Sequence, residues 1–395
     1  MKLINFCKKT LIAFVTVIMC LIAYGYYSVP DVINTFENEK LEFSGIYTVN
    51  INKNTNFDNE DTAKGVNDYE SSVKLFNKIP VKTASTIIGK RKYVVPSGEL
   101  IGLRMFSKGV MIISTDSVDT ADGKKNPSEK SSIKSGDLII SVDGEEIKSA
   151  AQLSSIIAES NGKNLNLVYV RDEKEYRVSF TPVLATDGKY KAGWWIRDSA
   201  AGIGTMTYYD KATGIYGGLG HGICDADTDI LLPLYYGDIV GAEITGCYKG
   251  LKGKAGELCG SLSAEKMGSI YKNCNNGVYG LLKEVNNSGK AIPVALSNEV
   301  RTGSAIILCT TDGNGVKQYS IDIEKIDVKD DSSRNLVIRI TDKELLSKTG
   351  GIVQGMSGSP IIQNGMLVGA VTHVLINDPQ KGYGIFIENM LKAAQ

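Results

Sequence analysis

Short runs of apolar residues, many alternating with polar ones and punctuated by glycine, occupy most of the chain after residue 90. Alternation with a period of two is typical of strands, and the tight turns that glycine permits suit an all-β architecture. One segment differs, because its apolar positions 150, 153, 156 and 157 have helical spacing and predict a short helix over 149–158. The clearest predicted strands are 93–96, 100–105, 109–113, 165–170, 175–180, 336–341 and 366–374. The pattern predicts a mainly β protein.

The N-terminal region follows a different pattern. Lys8 and Lys9 precede an uncharged apolar run over 11–27, which predicts a signal anchor or signal peptide over 1–27, with the rest of the chain exported. An uncleaved anchor is favoured, because no clear small-x-small cleavage site follows, and a buried core helix fits the leading lysines less well. Residues 28–90 are polar and predict a linker or stalk. A strand-rich lead-in domain is the alternative, since 41–51 shows some alternation.

Composition narrows the classes of function. The 44 Lys and Arg residues equal the 44 Asp and Glu residues, and no basic stripe is present, so a nucleic-acid partner is not expected. The seven cysteines show neither paired spacing nor a Cys-x-x-Cys motif, which excludes a disulfide framework and makes a zinc site improbable. We therefore expect no metal and no cofactor, and contact with the membrane only through the N-terminal segment.

The segment 91–186 carries Gly136-Asp-Leu-Ile-Ile-Ser-Val-Asp-Gly144 between predicted strands and before the short helix. This order resembles a PDZ domain in the circular arrangement of exported proteases. The resemblance implies that a loop binds a peptide carboxylate while the peptide adds as an extra strand. That loop would be Leu100, Ile101, Gly102 and Leu103. The alternative is a module that only packs against its neighbour.

The strongest candidate for chemistry is Gly355-Met-Ser-Gly-Ser-Pro360. Glycine two residues before Ser357 permits a turn in which the N–H groups of Gly355 and Ser357 point at one spot, the geometry of an oxyanion hole. The residues that follow predict a strand, an Asn364-Gly365 hairpin turn and a second strand. A serine followed by a hairpin indicates a chymotrypsin-like double β-barrel, whereas an α/β-hydrolase has a helix there. The alternative is an ordinary glycine-serine turn.

A serine nucleophile needs an adjacent base. His221, in Gly217-Gly-Leu-Gly-His-Gly-Ile223, precedes Ser357 as in the chymotrypsin chain order. His373, the other histidine of the chain, is a rival base. The orienting carboxylate stays open at this point. Asp225, Asp227 and Asp229 follow the histidine too closely to reach back, and spacing does not choose between Asp238 and Asp342.

Three motifs carry a resemblance that covers nearly the whole chain. The run 341–365, Gly218-Leu-Gly-His-Gly-Ile223 and 369–379 resemble the S55 peptidases, the family of stage IV sporulation protein B. The resemblance implies a membrane segment, a PDZ domain and a chymotrypsin-like serine peptidase domain over 187–395. It also implies a His221, Asp342 and Ser357 triad, with Asp342 unusually close to the serine.

The resemblance further implies a role in sporulation signalling. Such a peptidase is exported into the intermembrane space of the forespore, where it cleaves itself and a regulator of an intramembrane metalloprotease, so that a late mother-cell sigma factor is activated. Self-cleavage would fall within 28–90. The runner-up hypothesis is an inactive, membrane-anchored PDZ scaffold that binds a partner's tail. A hydrolase of small esters is disfavoured by the hairpin after Ser357.

Overall fold

The structure, a computed structural model, describes residues 2–36, 42–43, 45–56, 67–328 and 333–395. It begins with helix α1 (Lys2–Ser28), whose stretch Lys8–Ser28 is 21 residues long and apolar enough to cross a membrane. At 1.5 Å per residue this stretch is about 30 Å long, the thickness of a bilayer core. The helix fits a membrane anchor or a signal sequence.

A five-stranded sheet follows, in the order β1-β5-β4-β3-β2. The prediction of a linker or stalk over 28–90 is therefore wrong for the described part of this segment, and residues 37–41, 44 and 57–66 lie outside it. Strand residues Ile33, Tyr47, Val73 and Leu75, together with Val29 just before β1, bury a small core. Average polarity concealed this core, because polar residues occupy the opposite face of each strand. The strands are β1 (Val32–Phe36), β2 (Glu42–Phe43), β3 (Tyr47–Asn56), β4 (Asn67–Leu75) and β5 (Ile79–Gly89).

The middle of the chain forms a module in which β13, β12, β10 and β7 lie side by side and helix α2 packs on them through Leu153 and Ile157. Ser149 caps α2 by accepting a hydrogen bond from the Gln152 amide. The helix and the hairpin at 165–180 are where the sequence predicts them. The elements are β6 (Tyr93–Pro96), β7 (Leu100–Thr115), β8 (Val118–Thr120), β9 (Gly123–Lys125), β10 (Leu138–Val142), β11 (Glu145–Glu146), α2 (Ala150–Glu159), β12 (Leu165–Arg171), β13 (Lys174–Phe180), β14 (Val183–Leu184) and β15 (Tyr190–Lys191).

The next strands complete a first closed barrel, which runs β7-β18-β19-β20-β17-β16 and returns to β7. Long β7 is shared, because its first half lies in this barrel and its second half, near Met111, pairs with β10 of the middle module. The middle module is thus inserted between two barrel strands, and the first half of β7, which lies before the predicted boundary at 186/187, contributes to the barrel. The strands are β16 (Trp194–Tyr209), β17 (Ile215–Gly218), β18 (Leu234–Tyr248), β19 (Gly256–Cys274), β20 (Gly277–Leu282) and β21 (Ile292–Pro293).

A second closed barrel has the order β22-β23-β24-β28-β27-β26. Its β26–β27 hairpin turns at Asn364 and Gly365, whose φ values of 52° and 77° are those of a type I′ turn. This confirms the predicted hairpin, and the chain has the expected mainly β, chymotrypsin-like double-barrel fold. The elements are β22 (Gly303–Thr310), β23 (Val316–Ile326), β24 (Leu336–Ile340), α3 (Lys343–Thr349), β25 (Val353–Gln354), β26 (Pro360–Gln363), β27 (Met366–Val374), β28 (Lys381–Phe386) and α4 (Ile387–Ala393).

Candidate active site

Ser357 lies in the turn between β25 and β26, where the second barrel meets strand β16 of the first. Thr205 on β16 donates two hydrogen bonds to this turn, from its amide to the Ser357 carbonyl at 2.9 Å and from its hydroxyl to the Gly355 carbonyl at 2.8 Å. Two residues on, the Thr207 hydroxyl donates to the Gly358 carbonyl at 2.7 Å. These threonines alternate along the strand, so both face the turn. The first barrel therefore holds the backbone around the serine.

The turn itself has the backbone conformation that an oxyanion site requires. Gly355 and Gly358 have φ values of 96° and 95°, in the region that favours glycine. The amides of Met356 and Ser359 donate within the turn, to the carbonyls of Val353 and Met356. The Ser357 amide forms no hydrogen bond with any residue that the structure describes, so it is available to a ligand. The predicted oxyanion pair, Gly355 and Ser357, stays a prediction.

His221 reaches the same place from the first barrel, three residues after β17 ends. Leu219 and Gly220 before it have φ values of 64° and 68°, and this left-handed bend turns the chain toward the second barrel. Its Nδ1 lies 2.8 Å from the carbonyl oxygen of Gly222. A carbonyl only accepts, so Nδ1 carries the proton and Nε2 keeps its lone pair. Burial lowers the pKa of His221, although the Gly222 carbonyl opposes the effect. The imidazole is therefore neutral at pH 7 and able to accept a proton.

His373, on β27, packs against His221 with their ring centroids 4.7 Å apart. Burial, together with the neighbouring His221 and Arg334, lowers the pKa of His373 to about 4. Its buried Nδ1 has no hydrogen-bond partner among the residues described. Two neutral imidazoles thus stand together beside the serine. Position alone does not remove His373 as a rival base.

In the resting arrangement the Ser357 hydroxyl does not donate to either histidine. It donates instead to the carbonyl oxygen of Thr372, on β27, at 2.7 Å. Ser357, His221, Thr372 and His373 nevertheless line one cavity of about 680 Å³ between the barrels. Catalytic hydrogen bonds are often incomplete in ligand-free enzymes, and a rotation of the serine side chain is the change needed here.

The structure does not bring Asp342 to the histidines. Its carboxylate caps α3 by accepting a hydrogen bond from the Leu345 amide at 3.0 Å, and a longer one of 3.4 Å from the Ser320 amide. Nδ1 of His221, the atom that a triad acid would contact, is already paired with the Gly222 carbonyl. The assignment of Asp342 as the acid stays a prediction of the family resemblance.

Two other candidate acids, Asp225 and Asp238, are also engaged elsewhere. Asp225 lines the cavity but accepts hydrogen bonds from the Asp227 and Thr228 amides and pairs with Arg197. Burial raises the pKa of Asp225, but those hydrogen bonds and Arg197 outweigh it and the pKa lies below its usual value. Asp238 forms an ion pair with Lys266 at 2.6 Å. Within the described ranges, no carboxylate is hydrogen-bonded to either imidazole.

The predicted peptide loop at Leu100, Ile101, Gly102 and Leu103 is not a loop. These residues form the start of β7, pair with β16 on one side and with β18 on the other, and are buried. A peptide cannot add there, because both strand edges are occupied and no carboxylate could reach the backbone amides. The prediction failed because the sequence of a buried strand and that of a glycine-containing loop look alike.

The sequence patterns did not reveal the contributions of Thr205, Thr207 and Gly222 to the site. The alternation of the two threonines was a usable signal, but a backbone carbonyl that orients a histidine leaves none in the sequence. Among the described residues, no group of three or more His, Cys, Asp or Glu side chains is placed to hold a metal ion.

Two known protein families match parts of this chain. The sequence pattern of the SpoIVB peptidase S55 family matches residues 188–391, just over half of the chain, and that of the PDZ domain matches residues 100–181. A search of curated proteins found no sequence that matches the chain.

Two solved structures are similar to parts of this chain. One is the PDZ domain of an SdrC-like protein from Listeria monocytogenes, with 22% identity and a TM-score of 0.19, over 22% of this chain and 87% of that one. The other is the HtrA-type protease AlgW with a decapeptide, with 9% identity and a TM-score of 0.32, over 76% of this chain and 64% of that one.

Proposed function

The chain belongs to the SpoIVB peptidase S55 family of serine peptidases, and we propose that it is an endopeptidase with Ser357 as the nucleophile and His221 as the general base. The observation that carries this proposal is the convergence of two barrels on one cavity. The first barrel supplies a neutral imidazole whose Nε2 keeps its lone pair, and the second supplies a serine in a glycine turn with an unpaired amide.

The reaction follows from these atoms. The Ser357 side chain rotates and gives up its hydrogen bond to the Thr372 carbonyl. Its hydroxyl then gives its proton to Nε2 of His221, and its oxygen bonds to the carbonyl carbon of the substrate. The Ser357 amide, with that of Gly355, stabilises the oxyanion that forms. Nε2 then passes the proton to the leaving amine as the peptide C–N bond breaks. Nε2 then takes a proton from a water molecule, whose oxygen bonds to the acyl carbon. The ester C–O bond breaks, the carboxyl product leaves, and Nε2 returns the proton to the Ser357 oxygen.

We assign the orientation of His221 to the Gly222 carbonyl, because that carbonyl is bound to Nδ1 in the structure. The family resemblance requires a role for Asp342, and we propose that it acts as a positioning residue. It caps α3, which leads through β25 directly into the turn that carries Ser357. The carboxylate of Asp342 could act directly on the imidazole of His221 only if it gave up its hydrogen bond to the start of α3.

The biological role is proposed from the family resemblance. The N-terminal helix would export or anchor the chain, and the peptidase would act in the intermembrane space of the forespore. There it would cleave itself within 28–90. It would also cleave a regulator of an intramembrane metalloprotease, and this second cleavage would lead to activation of a late mother-cell sigma factor. An inactive scaffold remains the second candidate, favoured by the serine that donates to Thr372 rather than to a histidine.

A fluorophosphonate probe separates the two candidates, because it labels only an activated serine. We expect the purified full-length chain to be labelled, and Ser357→Ala and His221→Ala to abolish labelling. His373→Ala is the matched control, since it removes the adjacent imidazole and should retain labelling. An unlabelled but folded wild-type chain would support the scaffold. Loss of labelling in His373→Ala but not in His221→Ala would reassign the base.

A further inference from the structure

Part of one edge of strand β16 is covered by no other strand of the described chain. Along its inner edge, β16 pairs with β7 from Trp194 to Thr205. On the outer edge, β17 pairs with β16 only from Met206 onward, whereas β6 pairs with Tyr208 and Tyr209 on the same side as β7. The outer edge from 194 to 204 is thus unpaired within the described residues, and Ala201 and Gly202 are exposed there. An unpaired edge is a template for an added strand.

The hydrogen bonds of Thr205 show in which direction the backbone N–H and C=O groups of β16 point. Its amide donates to the Ser357 carbonyl and its carbonyl accepts from the Leu219 amide, so both groups point away from β7. The register with β7 is unbroken from Thr205 back to Ser199. Because strand residues alternate, the N–H and C=O groups of Ile203 and Ala201 also point to the outer edge. This edge therefore leads straight to the residue that holds the nucleophile turn.

The same edge continues into the middle module past an irregularity between Arg197 and Ser199, where the register with β7 shifts. Ile112 on β7 turns its amide to the Asp137 carbonyl and its carbonyl to the Gly136 amide, both at 2.8 Å. Its partner on β16 is Ile196, whose N–H and C=O must then face the outer edge as well. Beside this end lies a groove of about 440 Å³, lined by Ser154 and Ile157 of α2 and by β16 residues 194–196.

Two cavities thus lie along one strand. Residues 194–196 border the groove beside α2, and residues 199–203 border the catalytic cavity. From Ile196 to Thr205 the strand spans about 30 Å, at about 3.3 Å per residue. A peptide of about nine residues would be needed to reach from one end to the other.

On the basis of the proposed function, we propose that the outer edge of β16, from Trp194 to Ile203, binds an extended segment of the substrate polypeptide as an added strand. The occupant is an unfolded or unpaired segment, recognised through its backbone, with an apolar side chain in the groove beside α2. The argument for this occupant is continuity, because the edge runs from that groove to Thr205, which holds Ser357 in place. The peptide-binding strand is β16, in place of the predicted site at Leu100 to Leu103.

Hydrogen exchange tests the proposal without altering the edge. The full-length Ser357→Ala chain, which cannot cleave, is mixed with β-casein, an unfolded protein, and backbone exchange is followed by mass spectrometry. We expect slower exchange in peptides that cover 194–203 and unchanged exchange in the outer strand β13. Unchanged exchange over 194–203, with or without protection elsewhere, would overturn the proposal.

A proline at the edge provides the second test. Ala201→Pro removes an N–H that points away from β7 and so leaves the β7 ladder intact, whereas Ala201→Val keeps that N–H. We expect kcat/KM for β-casein, divided by the rate of fluorophosphonate labelling, to fall about tenfold in the proline variant, as loss of a strand hydrogen bond predicts. The ratio should fall clearly less in the valine variant, which keeps that N–H.

The outcomes separate this proposal from the proposed function. An equal ratio in both variants, with labelling retained, overturns the added strand but leaves the peptidase standing. Absence of labelling in the wild-type chain overturns the peptidase, while the exchange experiment still decides whether the edge binds a polypeptide. If Ala201→Pro does not fold, as judged by circular dichroism, the exchange experiment alone decides whether the added strand forms.

Discussion

The hydroxyl of Thr205 is the contact through which the first barrel fixes the carbonyl of Gly355, so its removal is a direct test of how the site is built. Thr205 is 1% exposed, and its hydroxyl donates to that carbonyl at 2.8 Å. Thr205→Val keeps the shape of the side chain and the amide that donates to Ser357. It leaves the buried Gly355 carbonyl without its partner.

A buried polar group that loses its partner costs about 1–3 kcal/mol. In a domain of this size, about 1 kcal/mol lowers Tm by about 2–4 °C, so the peptidase transition should fall by about 2–12 °C in a thermal scan. The free carbonyl also loosens the peptide unit between Gly355 and Met356. We expect fluorophosphonate labelling of Ser357 to slow about tenfold, which corresponds to about 1.4 kcal/mol of lost transition-state stabilisation.

The matched control is Thr86→Val, in the N-terminal sheet. The Thr86 hydroxyl is buried without a hydrogen-bond partner among the described residues, so its removal should leave stability and labelling unchanged or slightly improved. The reasoning would be refuted if Thr205→Val melted and labelled like the wild-type chain. It would also be refuted if both variants lost labelling equally, because the effect would then not depend on the turn.

Three further predictions concern the base, the cap and the turn. Burial lowers the pKa of His221 from its usual 6.5, and the neutral form is the base, so the labelling rate should fall with decreasing pH through a midpoint below 6.5; a midpoint above 6.5 would contradict the buried imidazole. Asp342→Ala should cost about 1 kcal/mol of stability by uncapping α3 and slow labelling, whereas Asp342→Asn should cap α3 and retain both; an Asn variant as inactive as the Ala variant would assign the carboxylate a charged role. Gly358→Ala would place a Cβ 1.9 Å from the Thr205 carbonyl oxygen and should abolish labelling. Gly365→Ala, at a similar positive φ with no atom within 4 Å of the added Cβ, should retain labelling. Retention of labelling in both folded variants would show that the turn tolerates displacement.

The conformation of the turn that carries Ser357 was predictable from local sequence. Glycines before and after Ser357, and the Asn364-Gly365 pair after the first strand, require backbone conformations that few other residues adopt. Such requirements act over a few residues, and they selected a double barrel over an α/β-hydrolase. The apolar N-terminal run and the short helix at 149–158 were predictable for the same reason, since each depends on a pattern within one element.

Features that depend on contacts between distant segments of the chain were decided by the tertiary structure. The sheet within 28–90 exists because five weakly apolar strands share one buried face, a property that none of them shows alone. Leu100 to Leu103 form a strand because β16 and β18 cover both edges, and these partners lie about 100 and 140 residues farther along the chain. Pairing across such separations leaves no trace in local composition.

The same division applies to the site. Sequence alone selected Ser357 and His221, because a reactive serine needs a glycine turn and a base. Only the fold shows that the Gly222 carbonyl is hydrogen-bonded to His221, that Asp342 caps a helix, and that β16 joins the middle module to the turn that carries Ser357. These roles depend on which backbone groups are left unpaired after the barrels close, and closure is a property of the whole chain.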